Sequence, residues 1–206
     1  MGEIAFSREQ DQTSTRDDTG TVQPSDGGES LVQGIKLHLG CGPKIVKGFV
    51  NVDLPNNWSK VKPDVEADIS KPLPFPDNYA DGIYAFHVIE HFWRWEVEDI
   101  LKDWVRVLKP GGVMILELPC LDKIIAILKF YLESGKPIND RLTVWGLYGD
   151  PNYKSIEMSH KWAWSASELI DLLESLGMTA EQKEPKTHIP VRDMRIEAWL
   201  STPIQT

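Results

Sequence analysis

A chain of 206 residues with 41% hydrophobic content suits one domain built around one sizeable core. Its formal net charge of −9 argues against a nucleic-acid partner, because neutralising phosphates supplies most of a nucleic-acid binder's affinity and calls for a basic face. Two cysteines, Cys41 and Cys120, are too few for a disulfide framework or a zinc site, and no metal is expected.

Residues 1–33 stand apart. The stretch QDQTSTRDDTGTVQPSDGGES is polar, acidic and rich in Gly, Ser and Thr. With almost nothing to bury it cannot offset the entropy cost of ordering, and a disordered acidic tail is expected. The opening MGEIAFSREQDQ has no basic segment followed by an apolar run, so no secretory signal is read. The apolar stretch around Ile124–Leu128 is broken by lysines and far short of the roughly 20 residues a membrane span needs. A cytoplasmic location is the expectation.

Folded structure is expected from Gly34 onward. Ile35, Leu37 and Leu39 alternate with Lys36 and His38, which is strand periodicity, and this strand runs into Gly40-Cys41-Gly42-Pro43. A short second strand, Phe49–Val52, ends on Asp53, and Pro-rich loops lead to a third over Gly82–Phe86. Val97, Ile100, Leu101, Trp104, Val105 and Leu108 then recur at spacings of three and four, the apolar stripe of an amphipathic helix. Lys109-Pro110-Gly111-Gly112 stops it, and Val113–Leu118 is a near-continuous apolar strand ending at Pro119. Apolar strands alternating with helices indicate a doubly wound, mainly parallel α/β sheet with helices on both faces.

Residues 120–160 interrupt that rhythm with a helix ended at Gly135 and an irregular aromatic stretch, VWGLYGDPNYKSIEMSHKWAW. Ser165 and Glu168 have capping-box spacing, Leu169, Leu172, Leu173 and Leu176 form the next helix face, and Gly177 caps it. The segment from about Thr179 to Leu200 supplies two closing strands.

In such a sheet ligands bind outside the carboxyl ends of the strands. Glycines at the end of the first strand let the backbone turn and approach a ligand. Asp53 at the end of the second is placed to accept hydrogen bonds from a pair of ribose hydroxyls. Together they form a nucleoside-binding constellation. The segments LHLGCGP, NVD, ADISKPLPFPDNYADGIYAFHVIEH and RVLKPGGVMILELP, in that order over residues 35–119, resemble the successive motifs of class I S-adenosylmethionine-dependent methyltransferases of the type 11 kind. A looser likeness runs through SASELIDLLESLGM.

The resemblance implies a Rossmann-like fold and S-adenosyl-L-methionine as cofactor. It also implies roles: Leu39, Gly40, Cys41 and Gly42 wrap the methionine end, Asp53 holds the ribose, Asp68 and Ile69 receive the adenine, and the His87 carbonyl meets the methionine ammonium. One departure is plain. About ten residues separate the first two strands, where a parallel crossover usually holds a full helix.

Methyl transfer gains most from proximity and orientation, and a weak nucleophile also needs a base. His87, His91, His160 and His188 are candidates. His160 and His91 are carried forward as catalytic, against the blander readings of a surface histidine and a residue ordering a helix start. Cys120 after Pro119 is read as a small loop residue. Trp104 belongs to the core stripe, leaving Trp145, Trp162 and Trp164 as acceptor-site candidates. The expected activity is methyl transfer to O or N of a small-molecule or glycan-like acceptor. A catalytically inactive cofactor-binding module, or an RNA or protein methyltransferase, is the alternative. Residues 120–160 form either an acceptor lid within the 34–206 domain or an interface to a second subunit, as in a homodimer.

Overall fold

Seven strands pair into one sheet, in the spatial order β3 (Val65–Glu66), β2 (Val50–Asp53), β1 (Lys36–Leu39), β4 (Ala80–Phe86), β5 (Leu108–Pro119), β7 (Asp193–Leu200) and β6 (Met178–Lys183). The computed structural model describes residues 33–55 and 61–202, so the tail expected over 1–33 lies outside the description except for Gln33. The strands β1, β2, β3, β4 and β5 are parallel, and β7 runs antiparallel to β5 and to β6. The chain builds outward from β1 to β3, then crosses back to β4 on the other side of β1. That reversal is a topological switch point, which opens a crevice beyond the carboxyl ends of β1 and β4.

Side chains alternate between two faces along each strand. Leu37 and Leu39 on β1, Ile83 and Ala85 on β4, Met114, Leu116 and Leu118 on β5, and Met194, Ile196 and Ala198 on β7 share the main core. Helices α1 (Arg94–Val107) and α4 (Ala166–Ser175) lay Val97, Ile100, Leu101, Trp104 and Leu169, Leu172, Leu173 into it. Trp104 is fully buried, and its indole N–H donates to the Ile69 carbonyl at 3.1 Å. The opposite face holds a smaller cluster of Tyr84, Val113 and Ile115 flanked by Phe49, Phe86 and Trp199. It also carries a buried charged group in which Arg195 meets Glu117 at 2.7 Å and Glu197 at 2.5 Å.

Strand β5 begins at Leu108, directly after α1, rather than beyond the glycines. Leu108 pairs with Ala80, and the register then shifts so that Gly82 pairs with Val113. The Lys109–Gly112 segment is thus a bulge within the strand. Gly112 is required there, since a Cβ would lie 2.8 Å from both the Leu108 side chain and the Lys109 carbonyl oxygen. The half-buried Val105 and the start of β5 at Leu108 leave Val107 as the last buried residue of the α1 stripe.

The connection from β1 to β2 contains no helix. Asn51, buried on β2, takes its place as a hub. Its amide oxygen accepts from Val46 N at 2.9 Å and faces His38 Nδ1 at 3.2 Å, while its NH2 donates to the carbonyls of Val46 (3.1 Å) and Phe49 (3.3 Å) and to Asp64 (2.8 Å). A loop that short satisfies its backbone through one side chain.

After Pro119, α2 (Leu121–Ser134) ends at Gly135, which adopts φ 63°. The following stretch holds one short helix, α3 (Val144–Tyr148), among single 3₁₀ turns. At α4 only half of the expected capping box forms. Ser165 accepts from Glu168 N at 3.2 Å, whereas the Glu168 carboxylate turns to Arg94 (2.7 Å) and Trp162 (3.3 Å).

Candidate functional site

The glycine turn is stitched to the neighbouring strand end. Gly40 N and Cys41 N donate to the Val52 carbonyl at 2.9 and 3.3 Å, and Gly42 N donates to Asp53 Oδ2 at 2.5 Å. Gly40 sits at φ 67° with Val88 Cγ2 only 2.5 Å from where a Cβ would be, so both conformation and space demand glycine. Gly42 has φ 53° but faces open space, with nothing within 4 Å of its would-be Cβ. Asp53 is half-buried, and its other oxygen accepts from Leu54 N at 2.7 Å. Cys41 is buried, and burial followed by the charge of Asp53 pushes its thiol up to about 12, which makes it a wall rather than a nucleophile.

Asp68 and Ile69 lie beside this turn. Ile69 Cδ1 is 3.3 Å from the position of a Gly40 Cβ. Asp68 Oδ1 is occupied by Ser70, through its N–H at 2.9 Å and its hydroxyl at 2.6 Å, which fixes the carboxylate in place. The strand ends therefore bring Leu39, Gly40, Cys41, Gly42, Asp53, Asp68 and Ile69 to one side of the switch point. This set suits a nucleoside cofactor: a glycine cradle with room above Gly42, a carboxylate with spare lone pairs for hydroxyls, and an acid next to an apolar side chain for a base.

His87 follows β4 with φ 55°, the left-handed region that non-glycine residues rarely enter. The strain has a local cause. Its N–H is held by the Glu117 carbonyl at 2.7 Å, and its ring lies between two buried carboxylates, Nε2 at 3.1 Å from Asp193 and Nδ1 at 3.1 Å from Glu90. Burial alone would lower its pKa, but the hydrogen bond to Asp193 and the close carboxylates of Asp193 and Glu90 raise it to about 9. Glu90 is correspondingly ionised: burial would raise it, and His87 brings it down to about 2. Asp193 is also held below the usual carboxylate range, chiefly by His87 and Arg192 against the cost of burial.

A cleft of about 490 Å³ opens beside His87, lined by His91, Arg141, Trp145, Asp150, Tyr153, Met158, His160, His188 and Arg192 among others. His160 is 4.0 Å from Glu90 Oε1 through Nε2, and its Nδ1 faces the Gly146 carbonyl at 2.9 Å. His91 Nδ1 faces the Ser159 carbonyl at 3.3 Å, and the two rings meet edge to face at 4.9 Å. Since a carbonyl only accepts, both Nδ1 atoms carry hydrogen, and in the neutral rings the lone pair is on Nε2. Burial also holds His160 below its ordinary pKa.

The aromatic candidates divide. Trp145 and Tyr153 line the cleft, whereas Trp164 is fully buried in the main core, and Trp162 and Tyr148 are surface residues outside the cleft lining. Cys120 is buried with its thiol pushed up by desolvation, in keeping with a small packing residue. Two groups escaped sequence reading: Asp193, 106 residues from its partner His87, and the Asn51 hub. Glu90 was visible only as half of an EH pair.

Against known proteins, a family model described as a methyltransferase domain matches residues 37–116. A probable S-adenosylmethionine-dependent methyltransferase of Mycolicibacterium smegmatis is 40% identical over 47 residues, which is 23% of this chain and 18% of that relative's length. A SAM-dependent methyltransferase from Archaeoglobus fulgidus superposes with TM-score 0.54 and 17% identity over 80% of this chain and 85% of its own. One from Methanosarcina mazei gives 0.53 and 19% over 83% and 95%. The fold is that of the class I methyltransferases.

Proposed function

We propose that this chain, which carries a class I S-adenosylmethionine-dependent methyltransferase domain, moves the cofactor's methyl group to an oxygen or nitrogen of a small-molecule or glycan-like acceptor. One observation supports this above the rest. The glycine turn, Asp53, the Asp68–Ile69 pair and His87 stand in sequence order at successive strand ends around the switch point.

In this reading Leu39 and Gly40–Gly42 would wrap the methionine end, and the ribose hydroxyls would donate to the lone pairs Asp53 keeps beyond its two backbone partners. Asp68 would accept from the adenine amine with Ile69 against the ring, and the His87 carbonyl would meet the ammonium. S-adenosylmethionine supplies a methyl group on a sulfonium, open to in-line displacement. The protein's own contribution is then orientation. Residues 120–160 act as the acceptor lid, bringing Trp145, Tyr153 and His160 over the cleft. With Nε2 as its lone-pair nitrogen, His160 would meet the acceptor's nucleophile, with His91 beside it. Two aromatic faces among charged and hydrogen-bonding groups suit a polar acceptor with many hydroxyls.

The test is release of S-adenosylhomocysteine by the full chain across a panel of sugars, glycans, amines and phenols. Turnover on one of these classes is expected, and His160→Ala should lower it by roughly 10²–10⁴-fold with cofactor affinity intact. Tight cofactor binding with no release from any acceptor would favour a non-catalytic binding module.

A further inference from the structure

Glu90 is an anomaly in electrostatic terms. It is 1% exposed, yet neither carboxylate oxygen receives an aligned hydrogen bond. His87 reaches ion-pair distance of Oε1 at 3.1 Å without hydrogen-bond alignment, and Oε2 has no partner. The His87 ring is shared with Asp193, so Glu90 keeps two buried oxygens without an aligned donor, which folded proteins rarely leave so. The oxygens are not far from help of another kind: one ring nitrogen from each of His91 and His160 and one Glu90 oxygen lie within 4.8 Å of one another.

We propose that Glu90, His91 and His160 bind a divalent first-row transition cation at the floor of the cleft. Two imidazoles and one carboxylate form a borderline donor set that suits zinc, cobalt, iron or manganese rather than magnesium or calcium, which prefer oxygen alone. The outer contacts are already those of metal-binding histidines. Each ring gives its Nδ1–H to a backbone carbonyl, Gly146 for His160 and Ser159 for His91, which fixes the tautomer and leaves Nε2 to ligate. A tetrahedral zinc with arms of about 2.0–2.1 Å holds its ligand atoms about 3.3 Å apart. His160 Nε2 and Glu90 Oε1, now at 4.0 Å, need to close by only about 0.7 Å.

Three protein ligands leave at least one coordination position open, and His91 and His160 both line the cleft, so that position faces it. With Nε2 occupied as a ligand, His160 would act on the acceptor through the ion, which would hold an acceptor oxygen beside the cofactor, in place of meeting it directly; that role rests on the methyltransferase reading above, and the binding site itself does not. The sequence hid this site because His160 is 69 residues beyond His91 and because HVIEH reads as the start of a helix.

The full chain, stripped with chelator, is titrated calorimetrically with zinc, manganese and magnesium, and its cobalt(II) form is read by visible absorption. We expect one equivalent of zinc, bound more tightly than manganese in keeping with the usual order of divalent affinities, no comparable magnesium binding, and a cobalt spectrum of nitrogen and oxygen ligands. Glu90→Gln and His160→Ala should each weaken zinc by on the order of 100-fold or more, beyond the 10–100-fold typical of an outer-contact loss, with S-adenosylhomocysteine affinity retained. Absence of stoichiometric zinc and of a cobalt spectrum in the wild-type chain overturns the proposal, as does undiminished zinc binding by both folded variants. Since these readouts do not involve turnover, a chain that binds zinc but methylates nothing would overturn the methyltransferase reading alone, and the converse would overturn the metal site alone.

Discussion

Asn51→Ala should unfasten the helix-free crossover that carries the glycine turn. The buried amide serves five groups, and its loss strands the Val46 N–H and the His38 Nδ1–H, both of which point at its oxygen. At about 1 kcal/mol per neutral hydrogen bond lost and about 1–3 kcal/mol per buried group left unsatisfied, with incomplete additivity, a loss of about 3–5 kcal/mol is expected. For a domain of this size each kcal/mol is worth about 2–4 °C, so Tm should fall by about 6–20 °C. Because Gly42 belongs to the same ten-residue connection, cofactor affinity should weaken alongside. Asn51→Asp should be no better, since it sets a second carboxylate against Asp64, now 2.8 Å from the amide nitrogen. Denaturant unfolding followed by circular dichroism gives the free energy. A loss below about 1 kcal/mol would show that the crossover holds its shape without the hub, refuting the argument.

Two further outcomes are expected. Asp53→Ala should weaken S-adenosylmethionine by about 1.5–3 kcal/mol, the scale of charge-assisted hydrogen bonds, with calorimetry as the check; unchanged affinity in a folded variant would take Asp53 out of the site. Glu117, held below its ordinary 4.5 by Thr187, Arg195 and two backbone N–H groups against the cost of burial, stabilises the fold above pH about 4.5 and loses that contribution as pH falls through its depressed value. Urea midpoints measured between about pH 5 and 3 should therefore fall, and should fall less steeply in Glu117→Gln; equal slopes would dismiss Glu117 as a source of acid lability.

The features legible in the sequence are those set by local periodicity. The alternation at Ile35–Leu39, the α1 stripe through Trp104 and the glycine stop at 135 need no tertiary information, and each appears where the pattern puts it. β3, with two residues, is too short for a period to register, and the bulge that starts β5 at Leu108 hides behind a Pro-Gly-Gly run that elsewhere ends structure. The strand-end set of glycine turn, Asp53 and the Asp68–Ile69 pair is readable because its residues sit at consecutive strand ends, close in sequence to the strands that place them. The clamp on His87 and the Glu90, His91 and His160 cluster are not, because they join β4, β7 and the stretch before α4, elements that only the assembled sheet brings together. Trp164 shows the reverse error: an aromatic in an irregular stretch invites a binding role, yet it fills the core.

We propose above that the strand ends around the switch point form a cofactor site opening on the histidine-lined cleft. A crystal structure of the full chain grown with S-adenosylhomocysteine tests it most directly. The methionine end is expected over Gly40–Gly42, the ribose on Asp53, the adenine between Asp68 and Ile69, and the sulfur directed toward His160. Density for the ligand elsewhere, or none at saturating concentration, would contradict it.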